Sequence, residues 1–112
     1  MKHYDEKAMA SIRSTFESKV LPWSGVRPKE MMGCLCYFHG KRFFAFLVTG
    51  GVVITKLPEA GREELTRKHR GKPFEMAGRT AKTWVQVPVK KPGDLSALMP
   101  FVKTSYDIAV KG

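Results

Sequence analysis

Three histidines are the residues best suited to general acid–base chemistry, which needs titratable groups that converge in a cleft. His3 lies near the chain start, His39 falls in a predicted hairpin turn, and His69 falls at a predicted helix end among cations. None has a sequence neighbour that suggests a triad, although residues distant in sequence can still pair in space. We therefore expect each histidine to be structural or solvated, and we expect a protein that is not an enzyme.

The two cysteines, Cys34 and Cys36, are two residues apart. On a strand they point to the same face, and a disulfide between them would be strained. No second cysteine pair or histidine cluster completes a zinc site. Gly50-Gly51 falls between two predicted strands, where a phosphate-binding loop has no helix N-terminus to act through. We expect two reduced thiols that pack as small apolar side chains, with no metal and no cofactor; the alternative is a redox or metal role for this pair.

Basic residues are concentrated between Thr66 and Lys91, where eight cations face one acid, Glu75, within a chain of net charge +10. Such a cluster attracts phosphate backbones or an acidic partner. The alternative is a solvated surface that maintains solubility. The candidate nucleic-acid or acidic-partner residues are Arg67, Lys68, Arg70, Lys72, Arg79 and Lys82.

Aromatic residues on a basic sheet could stack with single-stranded bases if their face is uncovered. The candidates are Tyr37, Phe44, Phe46 and Trp84. The alternatives are that these rings belong to the core or form a protein interface, often that of a homodimer.

Length and composition describe one domain, residues 1–112, with 43% hydrophobic and 27% charged residues. This composition is typical of a globular protein. No apolar run reaches the roughly 18 residues of a membrane span. The charged start from Met1 to Lys7 does not resemble a secretory signal. We expect a cytoplasmic protein without membrane association.

The elements follow from periodicity. Apolar residues at Ala8, Met9, Ile12, Phe16 and Val20 form a helical stripe. The period then changes to two, and residues 34–38, 42–48 and 52–57 read as an antiparallel meander joined by short turns. Pro58 opens a second helix as its first residue, and Gly71 is its expected C′ residue.

The remaining residues predict two strands and a helix. Residues 73–77 and 83–89 read as strands separated by a loop over 78–82, and Asp94 or Ser96 is expected to cap a last helix that runs toward Val110. Pro100 either kinks this helix or marks its true first turn. The predicted fold is therefore α+β, a single mostly antiparallel sheet of about five strands with helices packed on it, in the order α-β-β-β-α-β-β-α.

Several local motifs resemble the TfoX N-terminal domain family, which is related in architecture to the YjbR-like proteins. The stretch 26–33, VRPKEMMG, is similar to that family's Arg-x-Met-Phe-Gly motif, with Met32 in place of Phe. The stretch 37–45, YFHGKRFFA, is similar to its strand, Asp-Gly-Arg turn and strand, with His39 in place of Asp. Lys72-Pro73-Phe74 and Trp84-Val85-Gln86-Val87-Pro88 also match. The resemblance implies an α+β fold and no conserved catalytic centre.

Two functional hypotheses follow. The first is a non-catalytic, regulatory module that binds a protein partner, or forms a homodimer, through a sheet edge or an aromatic face. The second is a nucleic-acid binder that uses the basic 66–91 segment, whose affinity would fall steeply as salt rises.

Overall fold

A computed structural model of the chain describes residues 3–112. The helices are α1, Glu6–Val20, α2, Glu59–His69, and α3, Met99–Lys111, which directly follows a 3₁₀ helix over Pro92–Leu98. The strands are β1, Val26–Met31; β2, Cys34–His39; β3, Arg42–Val48; β4, Gly51–Ile54; β5, Lys72–Met76; and β6, Arg79–Pro88. The α+β fold class is confirmed, with one strand more than the sequence predicted.

All six strands belong to one antiparallel sheet in the order β1-β2-β3-β4-β6-β5. Strands β1 to β4 form a meander, of which the part from β2 to β4 was predicted from its short turns. Helix α2 then carries the chain past β4, and the β5–β6 hairpin folds back so that β6 pairs with β4. Strands β1 and β5 are consequently the two edges.

The helices of the described residues pack on one face of this sheet, called here the helical face. Each helix contributes buried side chains to the main core: Phe16 from α1, Leu65 from α2 and Val102 from α3. They meet sheet residues of the same face, such as Tyr37 and Ile54. The predicted stripe of α1 is confirmed at Met9, Ile12, Phe16 and Val20, all buried, whereas Ala8 is exposed. Asp5 caps this helix, because its carboxylate accepts from the amides of Lys7 and Ala8.

Strand β1 was not predicted. Its residues, VRPKEM, are mostly exposed and contain no apolar alternation, only Val26 and Met31 at the ends. Pairing with β2 alone makes it an edge strand. Edge strands are commonly charged and interrupted by proline, because these features discourage pairing with another chain. The hydrophobic periodicity of the sequence therefore did not indicate strand β1.

The loop predicted over 78–82 is wrong. Strand β6 begins at Arg79, and the turn consists of Ala77 and Gly78 alone, both at positive φ (52° and 77°). Two successive residues at positive φ are typical of a tight hairpin turn. Ala77 gave no signal for this conformation, since alanine rarely adopts it.

The end of α2 also differs from the prediction. Arg70, not Gly71, adopts the left-handed conformation that ends the helix, with φ at 60°. Gly71 is required for space instead, because a Cβ there would lie 2.7 Å from Val85 Cγ1. Pro58 is the N-cap of α2, so the helix begins at Glu59, one residue later than predicted.

The C-terminal helix resolves the two alternatives for Pro100. This proline lies at the second residue of α3 and therefore marks its first turn. Asp94 does not cap α3; its carboxylate accepts from the amides of Lys90 and Lys91 at 2.9 and 3.2 Å. These hydrogen bonds hold the pKa of Asp94 below its usual value and close the loop between β6 and the 3₁₀ helix.

Candidate binding face of the sheet

The face of the sheet opposite the helices, called here the open face, carries a second apolar cluster. Six of its side chains are buried: Cys34, Cys36, Phe46, Val48, Val53 and Phe74. Five larger side chains around them are partly exposed: Met31, Phe38, Phe43, Met76 and Trp84. Among the described residues, no helix contributes to this cluster. Its outer boundary is therefore made of sulfur-containing and aromatic side chains that meet solvent directly.

The aromatic rings of the open face contact one another edge to face. The Phe43 ring centroid lies 5.7 Å from that of Phe38 and 5.4 Å from that of Trp84. Phe46 lies beneath them, 5.6 Å from Trp84 and 5.1 Å from Phe74. Edge-to-face packing holds aromatic rings in defined orientations. The open face is thus a connected aromatic surface that runs from β2 to β5.

Strand register places four cations on this face. Arg27 and Lys29 lie opposite Phe38 and Cys36. Lys72 lies opposite Gln86, which in turn faces Val53, and Arg79 lies opposite Met76. A fifth cation, Lys56, places its Nζ 5.7 Å from the centroid of the Phe43 ring. Cations therefore flank the aromatic surface on both the β1 and the β5 sides.

The acidic residues are all elsewhere. Eight of the ten lie on the helices or in their caps: Asp5, Glu6, Glu17, Glu59, Glu63, Glu64, Asp94 and Asp107. The other two are strand residues turned to the helical face. Glu30 lies opposite Leu35 of the main core, and Glu75 alternates with Phe74 and Met76 of the open face. The open face therefore combines aromatic rings and cations without a carboxylate.

A cavity of about 420 Å³ lies at the β1–β2 corner of the open face. It is called here the corner cavity. Its lining residues are Arg27, Pro28, Lys29, Met31, Phe38, Gly40 and Lys41. The Arg27 guanidinium donates to the carbonyl of Gly40 at 3.3 Å, which ties β1 to the β2–β3 turn beside the cavity.

The structure divides the six cations that the sequence singled out. Arg67 and Lys68 lie on α2 and Arg70 at its C-cap, on the helical side, whereas Lys72 and Arg79 face the open side. Lys82 lies where β6 bulges away from β5, between Ala81 and Val85. Lys68 and Arg70 instead border a second cleft with His69 and Lys90. The basic segment thus does not form one surface, and binding by these residues stays a prediction.

The stacking candidates are divided as well. Tyr37 and Phe44 belong to the buried core under the helices, so they are not available to bases. Phe46 is on the open face but completely buried. Trp84 is partly exposed there. Sequence reasoning missed Phe38, Phe43, Arg27 and Lys29. The alternation Arg27-x-Lys29-x-Met31 was the available signal for the cations, but it required recognising β1 as a strand.

The histidines and cysteines, which are the residues best suited to catalysis, are held in structural positions. The His39 ring packs edge to face on Tyr106, with centroids 5.8 Å apart, and His69 packs on Phe101 at 5.7 Å. Both cysteines are free and buried, and burial raises the pKa of Cys34 to about 11 and that of Cys36 to about 12. Residues 3–112 hold no group of three or more His, Cys, Asp or Glu that could bind a metal ion.

A network of ionisable side chains joins α1 to the sheet. The Tyr37 hydroxyl donates to Glu17 Oε2 at 2.9 Å, and Arg13 Nε donates to the same oxygen at 2.9 Å. Arg13 also pairs with Glu6, which accepts from Tyr4. Burial and the hydrogen bond to Glu17 raise the pKa of Tyr37 well above its usual value. This network orients α1 on the helical face and leaves the open face unaffected.

The fold and site together define a small α+β domain in which one helical layer covers one side of an antiparallel sheet. The sequence model of the TfoX N-terminal domain family matches residues 19–109, which is most of the chain. The chain therefore belongs to the TfoX N-terminal domain family. Neither the curated proteins nor the solved structures contain a match. In the part of the chain that the structure describes, no helix combines the length and apolar character needed to cross a bilayer.

Proposed function

We propose that this domain is a non-catalytic binding module whose open face binds single-stranded nucleic acid. The observation that carries the proposal is the segregation of charge. Arg27, Lys29, Lys72 and Arg79 flank a partly exposed aromatic surface, and all ten carboxylates lie elsewhere. Proteins that bind single strands combine cations along the backbone path with aromatic side chains on which bases stack.

A single strand fits this surface better than a duplex. Bases of a single strand are free to stack on Phe38, Phe43 and Trp84, whose rings lie at the solvent boundary. In a duplex the bases are already stacked, and their edges are read by a helix or a two-stranded ribbon that enters a groove. The helices here are on the other side of the sheet, so the open face presents no element to a groove.

A second copy of the chain is a poorer occupant. Two open faces brought together would place the five cations of each face, ten in all, in one interface without a carboxylate to neutralise them. Each copy also carries a net charge of +10. Like charges that are desolvated together oppose association strongly.

Pairing through a sheet edge, which the sequence also suggested, is disfavoured by prolines. Pro28 lies within β1 and Pro73 within β5, the two edge strands. Proline donates no backbone hydrogen bond and discourages addition of another strand. The face is therefore a better binding surface than either edge.

A non-catalytic role is supported by the arrangement of the titratable groups. His39 and His69 each pack on a separate aromatic ring. The two thiols are buried with raised pKa values, and a thiol rather than a thiolate is a weak nucleophile. The open face itself presents cations and apolar rings, which suit binding rather than proton transfer.

The test is a fluorescence-anisotropy titration of a labelled single-stranded oligonucleotide against two matched variants. The first replaces Arg27, Lys29, Lys72 and Arg79 by Gln. The second removes the same amount of charge from the helical side, by replacing Arg67, Lys68, Arg70 and Lys90 by Gln. We expect the first variant to bind at least about tenfold more weakly at low salt, with a salt slope smaller by about three, because each neutralised phosphate contributes about 0.7.

The second variant should retain most of the affinity. An equal loss of affinity in both variants would indicate nonspecific attraction to net charge. A loss of affinity confined to the second variant would indicate that the strand binds at the cleft bordered by Lys68, His69, Arg70 and Lys90. Retention of an acidic protein, or dimerisation, together with no affinity for oligonucleotides would also overturn the proposal.

Stacking is tested separately by tryptophan fluorescence, because the chain has two tryptophans in different places. Trp84 is on the open face, whereas Trp23 packs against Tyr106 and Phe44 on the helical side. In a Trp23→Phe variant only Trp84 emits, and we expect an oligonucleotide to quench it. In a Trp84→Phe variant the remaining emission should be unchanged. Quenching of Trp23 alone would contradict the proposed location.

A further inference from the structure

The corner cavity differs from the rest of the open face because cations surround an apolar floor there. Its volume of about 420 Å³ lies within the roughly 300–1,000 Å³ range of small-ligand sites. Pro28, Met31 and Phe38 supply apolar surface, and Arg27, Lys29 and Lys41 supply cations. Gly40 completes the wall in a left-handed conformation, with φ at 62°.

We propose that the corner cavity binds the phosphorylated end of a nucleic-acid strand, with a terminal phosphate monoester among the three cations and its nucleoside on the apolar floor. This inference rests on the proposed function and extends it, because it assigns one end of the open face to a strand terminus rather than to a continuing backbone.

The balance of charge favours a monoester. An internal phosphodiester carries one negative charge, whereas a terminal phosphate monoester carries about −1.5 to −2 at neutral pH. Arg27, Lys29 and Lys41 take part in none of the four ion pairs formed among the described residues. Three cations without a carboxylate partner at one cavity exceed what a single diester would neutralise.

The lining also favours an attached nucleoside over inorganic phosphate. The Phe38 ring is held in position by its edge-to-face contact with Phe43. A base placed on Phe38 would continue the stacked path that leads toward Trp84 on the proposed strand. Because Arg27 donates to the Gly40 carbonyl, its guanidinium is already oriented at the cavity wall, and less conformational entropy is lost when it binds.

The experiment compares three forms of one oligonucleotide, which carry a 5′-phosphate, a 3′-phosphate or hydroxyls at both ends. We expect one phosphorylated form to bind about tenfold more tightly than the hydroxyl form, as charge-assisted hydrogen bonds to phosphate allow. The preference should decline below about pH 6, where the monoester takes up a proton. A Lys29→Gln, Lys41→Gln variant should lose the preference. The matched control, Lys72→Gln with Arg79→Gln, should weaken all three forms and keep their ratio.

Failure of this inference is distinguishable from failure of the proposed function. Equal binding of the three forms by the native chain would overturn the terminal-phosphate site and leave the strand-binding face intact. Absence of binding to every form would overturn the proposed function. The cavity is then tested alone by NMR titration with uridine monophosphate against uridine. Shifts at residues 27–41 with the monophosphate only would support the site, and no shifts would refute it.

Discussion

At the scale of single residues, polar groups next to the core decide how α1 is seated. Tyr37 is completely buried, yet its hydroxyl reaches Glu17, whose carboxylate also accepts from Arg13. No buried side-chain nitrogen or oxygen lacks a partner in the described part of the chain. The buried hydroxyl is thus satisfied by the same carboxylate that anchors the helix.

Replacing Tyr37 by Phe removes this hydrogen bond while retaining the aromatic contact with Phe16, whose centroid is 4.9 Å away. We expect the free energy of unfolding at pH 7 to fall by about 1–2 kcal/mol, because Glu17 keeps Arg13 as a partner. Urea denaturation measures the difference. A loss of less than a few tenths of a kcal/mol would show that the hydroxyl contributes nothing to stability.

The same substitution has a predicted pH dependence. The pKa of Tyr37 is raised in the folded protein, so the folded state holds this proton more tightly than the unfolded state. The stabilisation is fully present below the unfolded value of 10.0 and is lost as pH rises above it. The advantage of the native chain over Tyr37→Phe should therefore shrink above pH 10. A difference that stays constant to pH 11 would contradict the assignment.

At the scale of elements, the junction between α2 and β5 depends on close approach. A Cβ on Gly71 would lie 2.7 Å from Val85 Cγ1 and 3.0 Å from the backbone of Leu65. The amide of Gly71 also donates to the Leu65 carbonyl at 2.9 Å, which fixes its position. The helix therefore ends against β6 with no room for a side chain.

We predict that Gly71→Ala lowers the free energy of unfolding by about 1–3 kcal/mol, as expected of overpacking. The matched control is Gly93→Ala, where nothing lies within 4 Å of the added Cβ and φ is not in the left-handed region. Thermal unfolding followed by circular dichroism should show a clear loss for the first variant and little change for the second. Similar behaviour of the two would show that the helix end is free to move.

At the scale of the whole molecule, the charge of the open face opposes folding and favours binding. Its cations have no carboxylate on their face, whereas Lys68 of α2 approaches Glu64 at 4.0 Å and lies in the last helical turn. Cations in the last turn are favoured by the helix dipole. The two groups of cations should consequently have opposite effects on stability.

We expect the variant with Gln at positions 27, 29, 72 and 79 to be more stable than the native chain at low salt, by about 0.5–1 kcal/mol, because self-repulsion falls. The helical-side variant at 67, 68, 70 and 90 should be less stable. Urea denaturation at 20 and 500 mM salt measures the free energy of unfolding of both variants. The stability gain of the open-face variant should vanish at the higher salt. Destabilisation of the open-face variant would mean that those cations have structural partners.

The sequence alone determined the elements whose hydrophobic period is strong. The sequence predicted the stripe of α1, the strands β2 to β4 and the helical residues around Leu65, because burial on one face imposes a period of 3.6 or 2. The family resemblance was also recognisable, from short motifs in a fixed order. Strand β1 could not be predicted, since it is an edge strand without a periodic pattern of buried apolar residues. The Ala77–Gly78 turn and the left-handed Arg70 were also missed, because neither Ala nor Arg favours positive φ.

Only the tertiary structure decided which charges and rings share a surface. The cations between 66 and 91 are close in sequence, yet α2 lies over one face of the sheet and Lys72 and Arg79 project from the other. Arg27 and Lys29 join the latter two although more than 40 residues separate them. Adjacency on a sheet depends on strand order and register, and these are fixed by long-range pairing that local sequence patterns do not encode.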